Sequence, residues 1–265
     1  MDTDALLAWY ERVRRPLPWR STRDPYALLV SEVMLQQTQA ARVIPYYEAF
    51  LERFPDPAAL AAAEPREVLA VWSGLGYNRR ALALQAAARV VVARGWPDEL
   101  TDLPGVGEYT AAAVAAFAWD RQAAAVDTNV RRVVERFDGT KRRRRALAER
   151  VTGLVPAGAA AAFNQAMMEL GATVCRPRGP RCGECPIGAG CTTRAAGGPS
   201  TTARRRGAER FEDTDRWARG RIVAALLAGQ PVPAEITGDR RKRALAGLER
   251  DGLVVRGRDG SVRLP

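Results

Sequence analysis

The sequence predicts a mainly α-helical protein that ends in a small α+β unit. Three observations carry that prediction. Apolar residues recur at helical spacing in segment after segment from residue 4 to residue 173, and proline or glycine stands between most of those segments. No stretch before residue 200 reads as a strand. Near the C-terminus, two short runs of Val and Arg flank an Asp-Gly turn, the signature of a β-hairpin.

In chain order, residues 4–14 bring Leu6, Leu7, Trp9, Tyr10 and Val13 to helical spacing, and Pro16 and Pro18 end that helix before Trp19 and Arg20. Pro25 opens the next helix, which directs Leu28, Leu29, Val30, Met34 and Leu35 inward. Further helices are expected at 41–53, 57–61, 65–73, 78–94, 108–118, 127–137, 143–154 and 158–173. The basic run Arg142–Arg145 after Lys141 reads as a solvated helix face.

Residues 195–214 read as a flexible basic linker. Beyond it, Arg219–Leu227 is expected to be helical, Pro233–Ile236 a short second element and Arg240–Arg250 a further helix. Val254–Arg256 and Val262–Leu264 then flank the turn at Asp259-Gly260. That order is the order of a winged helix over residues 215–265, and its basic character favours DNA as its partner. Residues 1–194 form the larger domain.

The chain carries 41 Lys and Arg against 30 Asp and Glu, a formal net charge of +11, and most of the positive residues are arginines. Arginine forks bidentately to phosphate, so a nucleic-acid partner is favoured over a small acidic substrate. With 47% hydrophobic residues the chain can fill one large or two modest cores. No apolar run reaches membrane-spanning length and the N-terminus lacks the regions of a signal peptide, so a soluble, cytoplasmic protein without membrane contact is expected. The absence of histidine removes Ser-His-Asp triads, His-ligated zinc and imidazole acid/base chemistry.

Residues 103–133 organise the rest. Leu103-Pro104-Gly105-Val106-Gly107 reads as a tight turn into a helix, where Gly105 and Gly107 permit positive φ and leave backbone N–H groups open to a phosphate. Asp127 follows beside a second helix start. In Ser31-Glu32-Val33-Met34-Leu35-Gln36-Gln37-Thr38-Gln39, a carboxylate and the adjacent amides of Gln36 and Gln37 sit in an otherwise apolar segment; buried, they need partners or a ligand. All four cysteines, Cys175, Cys182, Cys185 and Cys191, fall in one loop, which in an intracellular chain points to a metal or cluster. A four-cysteine set also suits zinc, although the irregular spacing is not that of two paired zinc knuckles.

Leu-Pro-Gly-Val-Gly-x-Tyr-Thr-Ala at 103–111, followed by Val-Asp-Thr-Asn-Val-Arg-Arg-Val at 126–133, resembles the helix-hairpin-helix DNA glycosylases of the endonuclease III superfamily. Leu17-Pro18-Trp19-Arg20, Asp24-Pro25-Tyr26 and the segment from Ser31 to Gln39 resemble, within it, the MutY adenine glycosylases. The resemblance covers about residues 5–195. It implies that Glu32 protonates adenine, that Asp127 stabilises or traps the sugar cation, and that Tyr109 and Asn129 orient the two carboxylates. It places Arg15, Trp19, Arg20, Leu35 and Glu169 about the base pocket. By its own residue type, Glu169 reads equally well as an ion-pair partner of an arginine.

The resemblance further implies that the turn at Gly105, Val106 and Gly107 binds DNA backbone, and that Gln37, Leu75 and Tyr77 wedge into the duplex. Arg176, Arg178 and Arg181 would meet phosphates from a loop holding one [4Fe–4S] cluster. Tyr109 stands where endonuclease III has a lysine nucleophile, which implies hydrolysis without a lyase step. Asn78 replaces the second aromatic residue the family usually has there, and the chain has no room for the Nudix-like domain that MutY proteins usually carry C-terminally.

The expected activity is therefore hydrolysis of the N-glycosidic bond of adenine mispaired with 8-oxoguanine or guanine in double-stranded DNA, by a monomer associated with the nucleoid. Two competing readings remain: a glycosylase of the same fold for thymine, uracil or hypoxanthine, and a non-catalytic winged-helix regulator.

Overall fold

A computed structural model describes residues 1–199, 210–257 and 260–265. Of the expected linker at 195–214, residues 200–209 lie outside the described residues, as do Arg258 and Asp259 of the hairpin; at its two ends Ala195 closes a short helix and Phe211–Asp213 form a 3₁₀ turn. The chain divides into two compact units, one formed by Met1–Glu32, Glu99–Thr101 and Val106–Arg204, the other by Val33–Asp98, Asp102–Gly105 and Arg205–Pro265.

The first unit contains α1 (Thr3–Val13) and most of α2 (Pro25–Leu35), which passes from one unit into the other; α7 (Glu108–Trp119), α8 (Thr128–Asp138), α9 (Arg144–Thr152), α10 (Ala160–Thr173) and the short α11 (Thr192–Ala195) complete it. Its core packs Leu6 and Tyr10 of α1, Phe117 of α7, Val130 and Val134 of α8, Leu147 of α9 and Phe163 and Met167 of α10. The row of alanines in α7 leaves little side-chain bulk, which lets α10 approach it closely. Asp2 caps α1 and Asp127 caps α8 by accepting from backbone N–H groups of the first turn.

The second unit contains α3 (Ala40–Arg53), α4 (Pro57–Ala62), α5 (Pro65–Trp72), α6 (Arg79–Arg94), α12 (Asp215–Leu227), α13 (Gly238–Arg250) and the hairpin of β1 (Val255–Arg256) with β2 (Val262–Arg263). The strands are antiparallel, with Val255 opposite Arg263 and Arg256 opposite Val262. Phe50, Phe54 and Trp72 meet edge to face, with Phe50 5.1 Å from Phe54 and 6.0 Å from Trp72. The Arg66 guanidinium donates to the Leu227 carbonyl at 3.0 Å, so α12 is tied to the start of α5.

The helices up to residue 173 fall close to their expected positions. In the tail, Pro233–Ile236 is a turn and not a helix, with Ile236 buried. Pro231 and Pro233 remove two N–H donors, and the few residues before α13 are too short to nucleate a helical turn. No helix among the described residues is long and apolar enough to cross a membrane.

Candidate active site

The first unit buries a carboxyl group with an unusual environment. Glu32 of α2 is 4% exposed, and its Oε2 has no hydrogen-bond partner among the described residues. Burial pushes its pKa up to about 7; a hydrogen bond with the Tyr109 side chain of α7 pulls the other way, and the charge of Asp127 adds to the rise. Desolvation, with Glu32 and Asp127 nearby, raises the Tyr109 phenol well above its ordinary value, so it stays a neutral donor. A buried acid that keeps its proton near neutral pH is what proton donation to a leaving group requires.

Asp127 is fixed from both sides. Its Oδ1 accepts from the Val130 N–H at 2.7 Å as the cap of α8, and its Oδ2 accepts from Asn129 Nδ2, also at 2.7 Å. Asn129 Oδ1 in turn accepts from Arg132 Nη2 at 2.8 Å, and Arg132 donates to the carbonyls of Gly171 and Cys175, each at 2.7 Å. A rigid chain of charge-assisted bonds therefore runs from Asp127 to the cysteine loop. Sequence reasoning missed Arg132 and Gly171. Their signal, a second arginine in the Val-Arg-Arg-Val run and a glycine inside a helix, gains meaning only from long-range contacts.

Glu169 of α10 is an ion-pair anchor. Arg15 grips it with Nε at 2.7 Å and Nη2 at 3.0 Å, and Arg20 Nη2 adds a third bond at 2.6 Å. Burial alone would raise its pKa; the two arginines more than offset this and hold it below the usual glutamate value. Arg20 also lies over the Tyr10 ring, whose hydroxyl donates to Gln165 at 2.6 Å. Trp19 is buried in the turn that carries Arg20, and Leu35 is half-buried at the end of α2.

The two glycines of the turn before α7 differ. Gly105 has φ +77°, and a Cβ there would meet Ala83 Cβ at 2.7 Å. Gly107 is extended, with φ −93° and ψ 173°, and a Cβ there would meet nothing within 4 Å. Contrary to the expectation of positive φ at both, only Gly105 needs a glycine backbone; at Gly107 the missing side chain leaves open space before the first N–H groups of α7. The Val106 side chain is buried, so only its backbone can face a ligand.

Among the expected wedge residues of the second unit, Gln37 and Tyr77 are exposed and adopt positive φ, 61° and 51°. Leu75 does not project outward: it is 7% exposed. Its N–H bonds the Trp72 carbonyl at 3.1 Å, and the Trp72 indole N–H bonds the Gly76 carbonyl at 3.1 Å, which closes the loop around Leu75 and turns it inward.

The four cysteines are free thiols that line one cavity together with Arg136, Val174, Gly188, Thr193, Arg194 and Pro199. Burial and the charges of Cys175, Cys191 and Cys182 raise the pKa of Cys185, so four thiolates would need a cationic centre to hold them together. No cluster of three His, Cys, Asp or Glu side chains fit for a metal ion occurs among the described residues. Four thiols lining one cavity are a donor set that suits a soft metal ion or an iron–sulfur cluster. Arg176, Arg178 and Arg181 are exposed around this loop; Arg176 bonds the Gly179 carbonyl at 2.9 Å and Arg181 pairs with Glu184 at 2.9 Å.

Residues 30–156 match the family described as HhH-GPD superfamily base excision DNA repair protein. The chain is 43% identical over 281 residues to the adenine DNA glycosylase of Mycolicibacterium smegmatis, covering 98% of this chain and 94% of the relative. Among solved structures it is similar to a thermostable thymine-DNA glycosylase, with TM-score 0.67 and 34% identity over 72% of this chain and 93% of the other. It is also similar to endonuclease III in a non-covalent complex with DNA, with TM-score 0.62 and 25% identity over 72% of this chain and 92% of the other.

Proposed function

The chain belongs to the HhH-GPD superfamily of base excision DNA repair proteins and, within it, to the adenine DNA glycosylases, and from that premise we propose how its residues release adenine. The observation that carries the reading is Glu32, a buried acid with a pKa of about 7 and an unpartnered oxygen. Glu32 delivers its proton to a ring nitrogen of a flipped-out adenine, most simply N7, and makes the base a better leaving group. The C–N bond then breaks to leave an oxocarbenium-like sugar. Asp127, held by Asn129 and the Val130 N–H, offers the opposing negative charge, and Tyr109 fixes Glu32 through its hydrogen bond.

Water completes the reaction. Tyr109 cannot form a Schiff base, and neither lysine of the chain, Lys141 or Lys242, belongs to α7. The product is an abasic site in an uncut strand. Arg15, Arg20 and Glu169 brace one wall of the base pocket, with Trp19 as its apolar lining.

DNA is held through the N–H groups of the turn at Gly105–Gly107 and through Arg176, Arg178 and Arg181, with Gln37 and Tyr77 as the wedge. Cys175, Cys182, Cys185 and Cys191 would hold a [4Fe–4S] cluster, which supplies a rigid frame for the arginine loop. Residues 215–265 act as a winged-helix-like module that adds phosphate contacts.

Single-turnover excision on duplexes with A:8-oxoguanine, A:G, A:C, T:G, U:G and I:T, followed by alkali, tests the reading. Adenine released from the first two, with strand breaks only after alkali, is the expected result. The similarity to a thymine-DNA glycosylase makes thymine release from T:G the informative contrary outcome.

A further inference from the structure

Aromatic rings and guanidinium groups alternate along five side chains of the second unit. Arg80 lies 5.4 Å from the Trp72 ring centroid and 5.3 Å from that of Tyr77; Arg216 lies 5.0 Å from Tyr77 and 4.8 Å from Phe211. Arg216 Nη1 also donates to the Tyr77 hydroxyl at 2.6 Å. The ladder begins at fully buried Trp72 and ends at Tyr77, 42% exposed, and Phe211, 48% exposed.

The inner end is locked. Arg80 donates to the carbonyls of Val33 at 2.5 Å, Gln36 at 2.7 Å and Gly76 at 3.1 Å, which joins the turn that presents Gln37 to the loop that presents Tyr77. The outer end comes from the tail, with Phe211 in a short 3₁₀ turn and Arg216 in the first turn of α12. A cation there opposes the helix dipole, and no carboxylate pairs with Arg216 among the described residues. Its position is thus accounted for by the two rings it stacks on. A planar guanidinium between two exposed rings also does more than attract phosphate, for which a lone lysine would serve.

We propose that Phe211 and Arg216 extend the Tyr77 wedge into a stacking platform for the orphan purine, the base left without a partner on the opposite strand when adenine is extruded. This rests on the reading of the chain as an adenine glycosylase. A purine offers its face to the exposed Tyr77 and Phe211 rings, and the acceptor-rich edge of a guanine-type base matches the donors left free on the arginine fork. The tail thereby takes part in recognising the opposite base, a task beyond the sequence-independent phosphate contacts otherwise assigned to it.

The test uses the full chain and its Phe211→Ala, Arg216→Ala and Arg216→Lys variants. Binding is measured to product-analogue duplexes in which a tetrahydrofuran abasic site faces 8-oxoguanine, guanine or a second abasic site. All three variants are expected to weaken binding to the duplexes with an orphan purine by about 10-fold and to leave binding to the doubly abasic duplex within about 2-fold. Equal weakening on all three duplexes, rescue by lysine, or tighter binding after loss of Arg216 would each overturn the proposal, the first two in favour of simple charge attraction and the third in favour of a latch. Release of free adenine from A:G by the unaltered chain tests the underlying activity separately. A chain that releases adenine while the variants bind all three duplexes as the parent does sinks the platform alone.

Discussion

Gly171 lets α10 pass so close to Asn129 that a Cβ at position 171 would lie 2.5 Å from the Asn129 Cβ and 3.0 Å from its Cα. Asn129 is the residue that holds Asp127, so helix packing and placement of the carboxylate are one problem. Two effects compete in Gly171→Ala. Helix propensity favours alanine by about 1 kcal/mol, whereas overpacking costs ~1–3 kcal/mol. The neighbour that must move is partly backbone, so the clash wins. The variant is expected to lose stability and to slow single-turnover excision at saturating enzyme by at least about 10-fold. Thermal unfolding and excision on A:G measure both; a more stable, fully active variant contradicts the link.

Glu32 makes rate and stability depend on pH with defined signs. Its folded pKa of about 7 lies above the ordinary value of 4.5, so the folded chain holds a proton that the unfolded chain releases. The stability this contributes is fully present below about pH 4.5 and is lost as pH rises through about 7, roughly 3 kcal/mol in all. Glu32→Gln cannot ionise and should flatten that slope while lowering excision by at least ~10²-fold. In the parent chain the single-turnover rate should fall above about pH 7 as the donor is lost. Denaturant melts and excision rates across that range give both profiles, and a parent rate that climbs through neutral pH would remove Glu32 as the acid.

The unequal glycines of the turn before α7 separate folding from DNA binding. Alanine at Gly105 meets positive φ and the Ala83 methyl, and should cost ~1–3 kcal/mol of stability. At Gly107 it meets no described atom within 4 Å and should cost at most about 1 kcal/mol as a poorer N-cap, yet its methyl enters the space through which a phosphate approaches the α7 N–H groups. Gly107→Ala is therefore expected to weaken duplex binding by about 10-fold in a stable protein. Unchanged affinity would show that DNA does not approach this turn.

What the sequence made legible follows from how local each determinant is. Pro57 and Pro65 open helices wherever they stand, and Asp127 caps α8 through its own backbone neighbours, so helix positions and the carboxylate were readable. Glu32 was legible as a polar residue in an apolar helix. Leu75 was misjudged because its inward turn depends on the Trp72 indole closing the loop from outside the glycine motif. Pro233–Ile236 was legible only as a short element, because the two prolines leave a turn there whose form depends on the burial of Ile236. The ladder from Trp72 to Phe211 was illegible, since it joins residues 139 positions apart through side-chain planes that no periodicity encodes.

The cysteine loop and the Asp127 carboxylate are joined through Arg132, which spans the Asn129 side chain and the Cys175 carbonyl. A frame that served DNA contact alone would affect only affinity when disturbed. Here a loosened loop also frees Arg132 and, through Asn129, lets Asp127 drift from its position. Arg132→Ala removes charge-assisted bonds worth ~1.5–3 kcal/mol each and should slow single-turnover excision at saturating enzyme by about 10-fold, with a smaller effect on duplex affinity. Protein purified without oxygen should contain iron and acid-labile sulfide, and removing them with an oxidant and chelator should lower the same rate constant in the parent far more than in Arg132→Ala, where the link is already broken. Iron loss that weakens binding but leaves the saturated rate intact in both proteins would confine the loop to DNA contact and sever the proposed connection.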